Sequence, residues 1–196
     1  MYILFIVMVL LTTSAHGATF KGKVIDSETK EPIAGAVVVA SWHEETATIS
    51  GASSRLKDVK EALTDQNGEW RIEGPRGREG GSLIALFSSI TGAYYTRPPE
   101  FIIFKPGYCS WPAGFTIDAC KGKLKPEGND QVAGGKTAEL PKLTNREDRL
   151  SILPEVMGDE VLFFRKQLLF MRLINQERRS LGLSENIMYK ELLNEN

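Results

Sequence analysis

Asp65, Asn67 and Gly68, within the stretch TDQNGEWRI, set two oxygen-bearing side chains and a flexible residue in the order that opens a calcium loop. A calcium loop of the form D-x-[DN]-x-[DN]-G puts glycine sixth and closes on a later glutamate carried by a helix. Here glycine is fourth and the following residues read as a strand. The same residues suit a tight turn, because Asp accepts a hydrogen bond from backbone two residues on and Asn or Gly takes the left-handed conformation. The expectation is a bulged turn closing a hairpin, with Trp70 and Ile72 on one face of its second strand and Glu69, Arg71 and Glu73 on the other.

Cys109 and Cys120 are the only cysteines. In an oxidising compartment they are expected to pair, closing the short loop CSWPAGFTIDAC and contributing about 3 kcal/mol in the chain-entropy model. Zinc is the weaker reading, since two thiols and the one imidazole, His43, that would remain after cleavage of residues 1–17 have no ligand-like spacing and make a poor site. His43, beside Glu44 and Glu45, could belong to an acid–base set, but no GxSxG elbow accompanies it and the two glutamates read as part of a solvated loop. Tyr108, Trp111 and Phe115 surround the cysteine-closed loop. Loops at the end of a β-sandwich commonly carry binding, and aromatic rings give large contact area at small entropic cost, so these three form either a carbohydrate- or peptide-binding patch or the loop's own packing. Catalytic residues, a metal and a cofactor are not expected.

These residues must be held by something, and the 196-residue chain is long enough for a packed domain with an appendage. Its formal net charge of -1, without runs of one sign, gives no nucleic-acid footprint. Residues 1–17, MYILFIVMVLLTTSAHG, pass from an apolar run to small polar residues, a secretory signal pattern with a cut after Gly17; an uncleaved anchor is the alternative. Export to the periplasm or outside follows.

From residue 18 to 143 the chain reads as short strands punctuated by Gly and Pro, an all-β pattern. TFKGKVID is the first strand, and AVVVASW, β-branched and almost continuously apolar, belongs in the middle of a sheet. HEETATISGASSRLKD reads as an exposed loop before the strand VKEALT. SLIALFS, AYYT and EFIIFKPGY supply further strands, the last ended by Pro106 and Gly107. KGKLKPEGNDQVAGG reads as a mobile loop, and KTAELPKL as a last strand.

Residues 144–196 change to helical periodicity. TNRE is a capping-box pattern, with Thr144 as the cap and Glu147 reaching back. Asp159 is expected to cap a helix over 159–181 that Gly182 closes, with Phe163, Phe170 and Ile174 on one side and Arg165, Arg172 and Gln176 opposite. Ser184 is the expected cap of a final short helix. The 159–181 helix has three candidate partners: its own sandwich, a protein of unknown identity, or a membrane surface, the last disfavoured by its few basic residues.

FKGKVIDSETKEPIAGAVVVA, TDQNGEWRI and FKPGY, in that order, resemble the carboxypeptidase regulatory-like domain, a transthyretin-like (prealbumin-like) β-sandwich. The resemblance covers residues 19–143, and the helical tail looks like the extension found on small secreted members. It implies a seven-stranded Greek-key sandwich with no chemistry of its own, acting through protein–protein contacts. Transthyretin-like folds also include hydroxyisourate hydrolases, which rely on histidines, an arginine and a terminal Tyr-Arg-Gly-Ser run; this chain offers His43 and ends LLNEN. The expectation is therefore a non-catalytic exported binding or structural module, with sugar or peptide recognition around Trp111 as the alternative.

Overall fold

The computed structural model describes residues 17–48, 51–75 and 94–195; residues 1–16 of the expected signal segment and the expected strand SLIALFS lie outside them. Seven strands among these residues form two sheets, making the chain mainly β with several helices. They are β1 (Thr19–Asp26), β2 (Val37–Thr48), β3 (Gly51–Leu63), β4 (Glu69–Glu73), β5 (Tyr95–Thr96), β6 (Glu100–Phe104) and β7 (Ala138–Leu140). One sheet has the order β4-β1-β7, with β4 antiparallel and β7 parallel to β1. In the other, β2 is central, with β3 on one side and β5 and β6 end to end on the other.

The apolar run in β2 is explained by burial on both faces. Val38, Ala40 and Trp42 face the other sheet, where they share a core with Val24, Trp70, Ile72, Phe101 and Ile103. Phe101 meets the rings of Phe20 and Trp70 at centroid separations of 5.8 and 5.5 Å. Val37 and Val39 point the opposite way and, with Val59 and Phe104, support Phe163, Phe170, Met171 and Ile174 of the helical region. The period of two in β2 thus divides one strand between two cores.

Two expectations for the β region are corrected. HEETATISGASSRLKD is not a loop: residues 43–48 extend β2 and residues 51–58 begin β3, paired as far as Thr48↔Gly51 past a bulge at Trp42/His43. Cross-strand charge pairing favours the ladder, with Glu44 facing Arg55 and their side chains 2.9 Å apart. TDQNGEWRI is a turn but closes no hairpin, because β3 pairs with β2 while β4 pairs with β1. The chain crosses from one sheet to the other there. Asp65 Oδ1 accepts from the backbone N–H of Asn67 at 2.8 Å and of Glu69 at 2.9 Å. Gly68 has φ +73°, and a Cβ on it would lie 2.3 Å from the carbonyl oxygen of Val24, so both backbone conformation and space require glycine.

The segment after β6 is ordered rather than a mobile loop. A 3-10 turn at Ala113–Thr116 and helix α1 (Asn129–Ala133) bring Leu124 and Val132 into the core between the sheets, and Cys109 and Cys120 are joined by a disulfide. Burying these apolar side chains fixes a stretch whose Gly, Pro and Lys content reads as loop.

Helices α2 (Arg146–Ser151), α3 (Val161–Phe164), α4 (Leu168–Ser180) and α5 (Ile187–Asn194) complete the described chain. The 159–181 helix is split at residues 165–167. A carboxylate from the sheet enters there: Glu61 accepts from the N–H groups of Leu169 and Phe170 at 2.8 and 2.9 Å, so α4 starts anew with its first amides satisfied by β3. Beneath the break Gln167 is wholly buried, bonded to both N–H and C=O of Met157 and to the Phe163 carbonyl. The caps also differ from expectation. Asn145, not Thr144, caps α2; Glu160 precedes α3 without a side-chain bond, displacing Asp159; Asn186, not Ser184, caps α5. Gly182, at φ +74°, does close α4. Arg149 makes a two-pronged pair with the buried Glu177, tying α2 to α4. No helix of the described residues is long and apolar enough to cross a membrane.

Candidate functional site

The outer edge of β6 is where loop, helix and tail converge. A bare strand edge exposes N–H and C=O groups that can pair with another chain, and here they are occupied from within. Ile103 exchanges both backbone bonds with Trp111, at 3.0 and 2.9 Å. Further along, the Asn129 amide accepts from Phe101 N–H at 3.0 Å and donates to the Pro99 carbonyl at 2.7 Å, imitating a neighbouring strand with one side chain. The disulfide closes the segment that carries Trp111, whose indole N–H donates to the Pro126 carbonyl at 2.7 Å.

Alongside this edge runs a groove of about 820 Å³. Pro98 and Ile102 from the β6 side, Trp111 and Pro112 from the cysteine loop, and Pro154 and Met157 from the tail give it an apolar lining. Its walls are braced. Ser110 is fully buried and donates to the Ile152 carbonyl at 2.8 Å, while Met157 is held at both backbone groups by Gln167. Four charged residues stand around it: Arg97, Glu100, Glu127 and Glu155. Arg97 is committed to Glu45 at 3.0 Å.

The structure does not gather the aromatic residues singled out in the sequence into one patch. Trp111 is 2% exposed and belongs to the inner core, with Phe115 edge-on at 6.4 Å. It contributes to the groove wall but offers no open ring face. Tyr108 lies in a different recess of about 300 Å³ with Asp26, Lys105 and Lys142. Pro106 and Gly107 make the turn after β6, where Gly107 has φ +82° and Tyr108 N–H donates to the Lys105 carbonyl at 3.1 Å.

The polar groups of that second recess serve the fold. Asp26 is pushed up by burial, but the N–H groups of Thr29 and Glu28, the Tyr108 hydroxyl and nearby Lys142 outweigh this and hold its carboxyl below the ordinary range. Burial and the Asp26 carboxylate raise the Tyr108 phenol. Lys105 is lowered by burial and donates to the Ala34 carbonyl at 2.8 Å. Around His43 the carboxylates lie on a strand, contrary to the solvated loop expected. Glu44 pairs with Arg55 and Lys57, and Glu45 with Arg97 and the Tyr95 hydroxyl. Among the described residues no group of three or more His, Cys, Asp or Glu side chains could hold a metal ion.

Arg97, Glu100, Asn129 and residues 154–157 were not legible as site residues. They come from four separated stretches, and only the docking of the tail against β6 brings them together. The one available signal was the proline pair after Thr96, which interrupts the strand between β5 and β6.

No family model and no curated protein matches the chain. Among solved structures, similarity is found to a mutant of Acinetobacter radioresistens catechol 1,2 dioxygenase, at 19% identity and TM-score 0.31, covering 75% of this chain and 57% of that one. A second is 3-chlorocatechol 1,2-dioxygenase from Rhodococcus opacus 1CP, at 21% identity and TM-score 0.30, covering 68% of this chain and 62% of that one. The chain therefore spans less than two thirds of the length of either enzyme.

Proposed function

We propose that this chain is a non-catalytic exported binding module of the carboxypeptidase regulatory-like type, a Greek-key transthyretin-like sandwich that engages another protein through the groove beside β6. The observation that supports this most is the groove itself. Its volume of about 820 Å³ is in the range of ligand clefts, roughly 300–1,000 Å³, and its walls are fixed by side-chain hydrogen bonds and a disulfide. A cleft set before its ligand arrives avoids part of the ordering cost of binding. Export is supported by the signal pattern and by the disulfide, a bond favoured in oxidising compartments.

Of the two ligand classes suggested by the aromatic loop, the burial of Trp111 favours peptide over sugar. Stacking a sugar needs an exposed ring face, whereas a peptide can use an apolar cleft with polar groups at its rim. The tail has a part in this reading, since it supplies the wall at Pro154 and Met157. The test is to pan a displayed random-peptide library on the full chain and compare capture by Thr116→Trp, which fills the groove from an exposed position on its wall. Enriched peptides should bind the parent and lose at least about tenfold on the filled variant, the equivalent of about 1.4 kcal/mol. Equal binding to a normally melting Thr116→Trp protein would overturn the assignment of the groove.

A further inference from the structure

We infer that the groove selects a short extended segment of a partner protein in which lysine or arginine alternates with apolar side chains. This rests on the groove being the working surface. Its charge is one-sided: Arg97 is neutralised by Glu45, while Glu100, Glu127 and Glu155 are exposed and enter no ion pair among the described residues. Three carboxylates that make no direct ion pair, set around a partly apolar cleft, draw a positively charged occupant and repel an acidic one.

The hydrogen-bonding character of the walls points the same way. Carboxylates accept only, and Pro98, Pro112 and Pro154 bring no backbone N–H donor to the lining. The exposed charged groups without an ion pair are therefore acceptors, and the complementary occupant is rich in donors, as ammonium and guanidinium groups are. The lining between the carboxylates includes the apolar Ile102 and Met157, and suits aliphatic side chains between the charged ones.

Strand addition at this edge is blocked where it would begin. Ile103 is already paired with Trp111, and Phe101 N–H with Asn129. The occupant is held by side chains rather than by a backbone ladder, so its charge pattern sets the specificity.

The experiment uses three synthetic fluorescent decapeptides that share the same leucine and proline positions and carry Lys, Gln or Glu at the remaining ones. Binding to the full chain is read by anisotropy at low and high salt. The Lys peptide should bind about tenfold more tightly than the Gln peptide at low salt, with the Glu peptide weakest, and the advantage should collapse at high salt. Replacing Glu100→Gln, Glu127→Gln and Glu155→Gln together should remove the Lys preference, bringing the Lys- and Gln-peptide affinities together. Equal binding of Lys and Gln peptides, both lost on Thr116→Trp, would overturn the inference and leave the groove assignment standing. A Lys preference that survives the triple substitution would also overturn it. Lack of binding by all three peptides, or binding indifferent to Thr116→Trp, would overturn both.

Discussion

The two faces of β2 are buried by different means. Its inner face packs against a sheet, with aromatic rings in mutual contact and a disulfide at one end, and almost all the participating side chains come from residues 20–143. Its outer face is covered by helices of 4 to 13 residues that are too short to be stable alone and depend on the valines beneath them. Polar attachments differ as well. Beside the inner core, Asp26 is bonded by amides two and three residues away, whereas Glu61 under the helices is bonded by amides more than a hundred residues away. The turn beside the inner core is held mainly by neighbouring amides, whereas the helical layer over the outer core is anchored by a carboxylate from far along the chain.

That contrast predicts different failures from equally large cavities. Phe101→Ala and Phe170→Ala each remove a fully buried ring and should each cost about 3–5 kcal/mol. Phe101→Ala should lower protection from hydrogen exchange throughout both sheets. Phe170→Ala should release α4 and α5 first, while β1 and β4 stay protected. Uniform loss of protection in both variants would mean that the two cores unfold as one unit.

Removing the disulfide sharpens the comparison from the inner side. Cys109→Ser with Cys120→Ser reopens a loop whose closure is worth about 3 kcal/mol. The loss should appear as a lower melting temperature, with the Trp111 segment exchanging faster than α4. Exchange that quickens in α4 and not around Trp111 would show that the bond stabilises the tail instead.

The same division marks what could be read from the sequence. β1, the central position of β2, the Asp65 turn, β7 and the disulfide pairing were legible because each rests on neighbouring residues or on a count of two cysteines. The extension of β2 and β3 was not, because HEETATISGASSRLKD is polar, and its strand character depends on pairs such as Glu44 with Arg55 that exist only once the arms meet. The apolar face with Phe163, Phe170 and Ile174 was legible from its period, but the break before α4 was not, since the carboxylate that caps it comes from β3. The candidate groove was hidden for the same reason: its two sides come from β6 and the tail, while Trp111 takes the packing role that its loop's sequence also allowed.

Glu61 is the most economical place to cut the outer attachment. Glu61→Ala removes both acceptors at the start of α4 and should cost about 1 kcal/mol, in the range of a lost helix cap. Urea titration followed by far-ultraviolet dichroism should show that loss, with a smaller one for Glu61→Gln, which retains one acceptor oxygen. An unchanged midpoint in Glu61→Ala would mean that apolar contact alone holds the layer.

The smallest effects, and the most discriminating, come from pH, because Asp26 and Glu61 are displaced in opposite directions. Asp26 is held below the ordinary carboxylate range, so the unfolded chain takes up this proton more readily than the folded one. Its contribution to stability is present above the ordinary value and is lost as pH falls through the folded one. Burial raises Glu61, more than the Leu169 and Phe170 amides and nearby Arg172 lower it, so here the folded chain holds the proton more tightly. Its contribution is greatest below the ordinary value and declines as pH rises through the raised one. Asp26→Asn should therefore flatten the acid limb of a stability–pH curve, and Glu61→Gln should flatten the decline on the other side of the ordinary value. If Glu61→Gln instead flattened the acid limb, the amides of α4 would outweigh burial, and the attachment between β3 and the helices would be as well satisfied as the Asp26 turn.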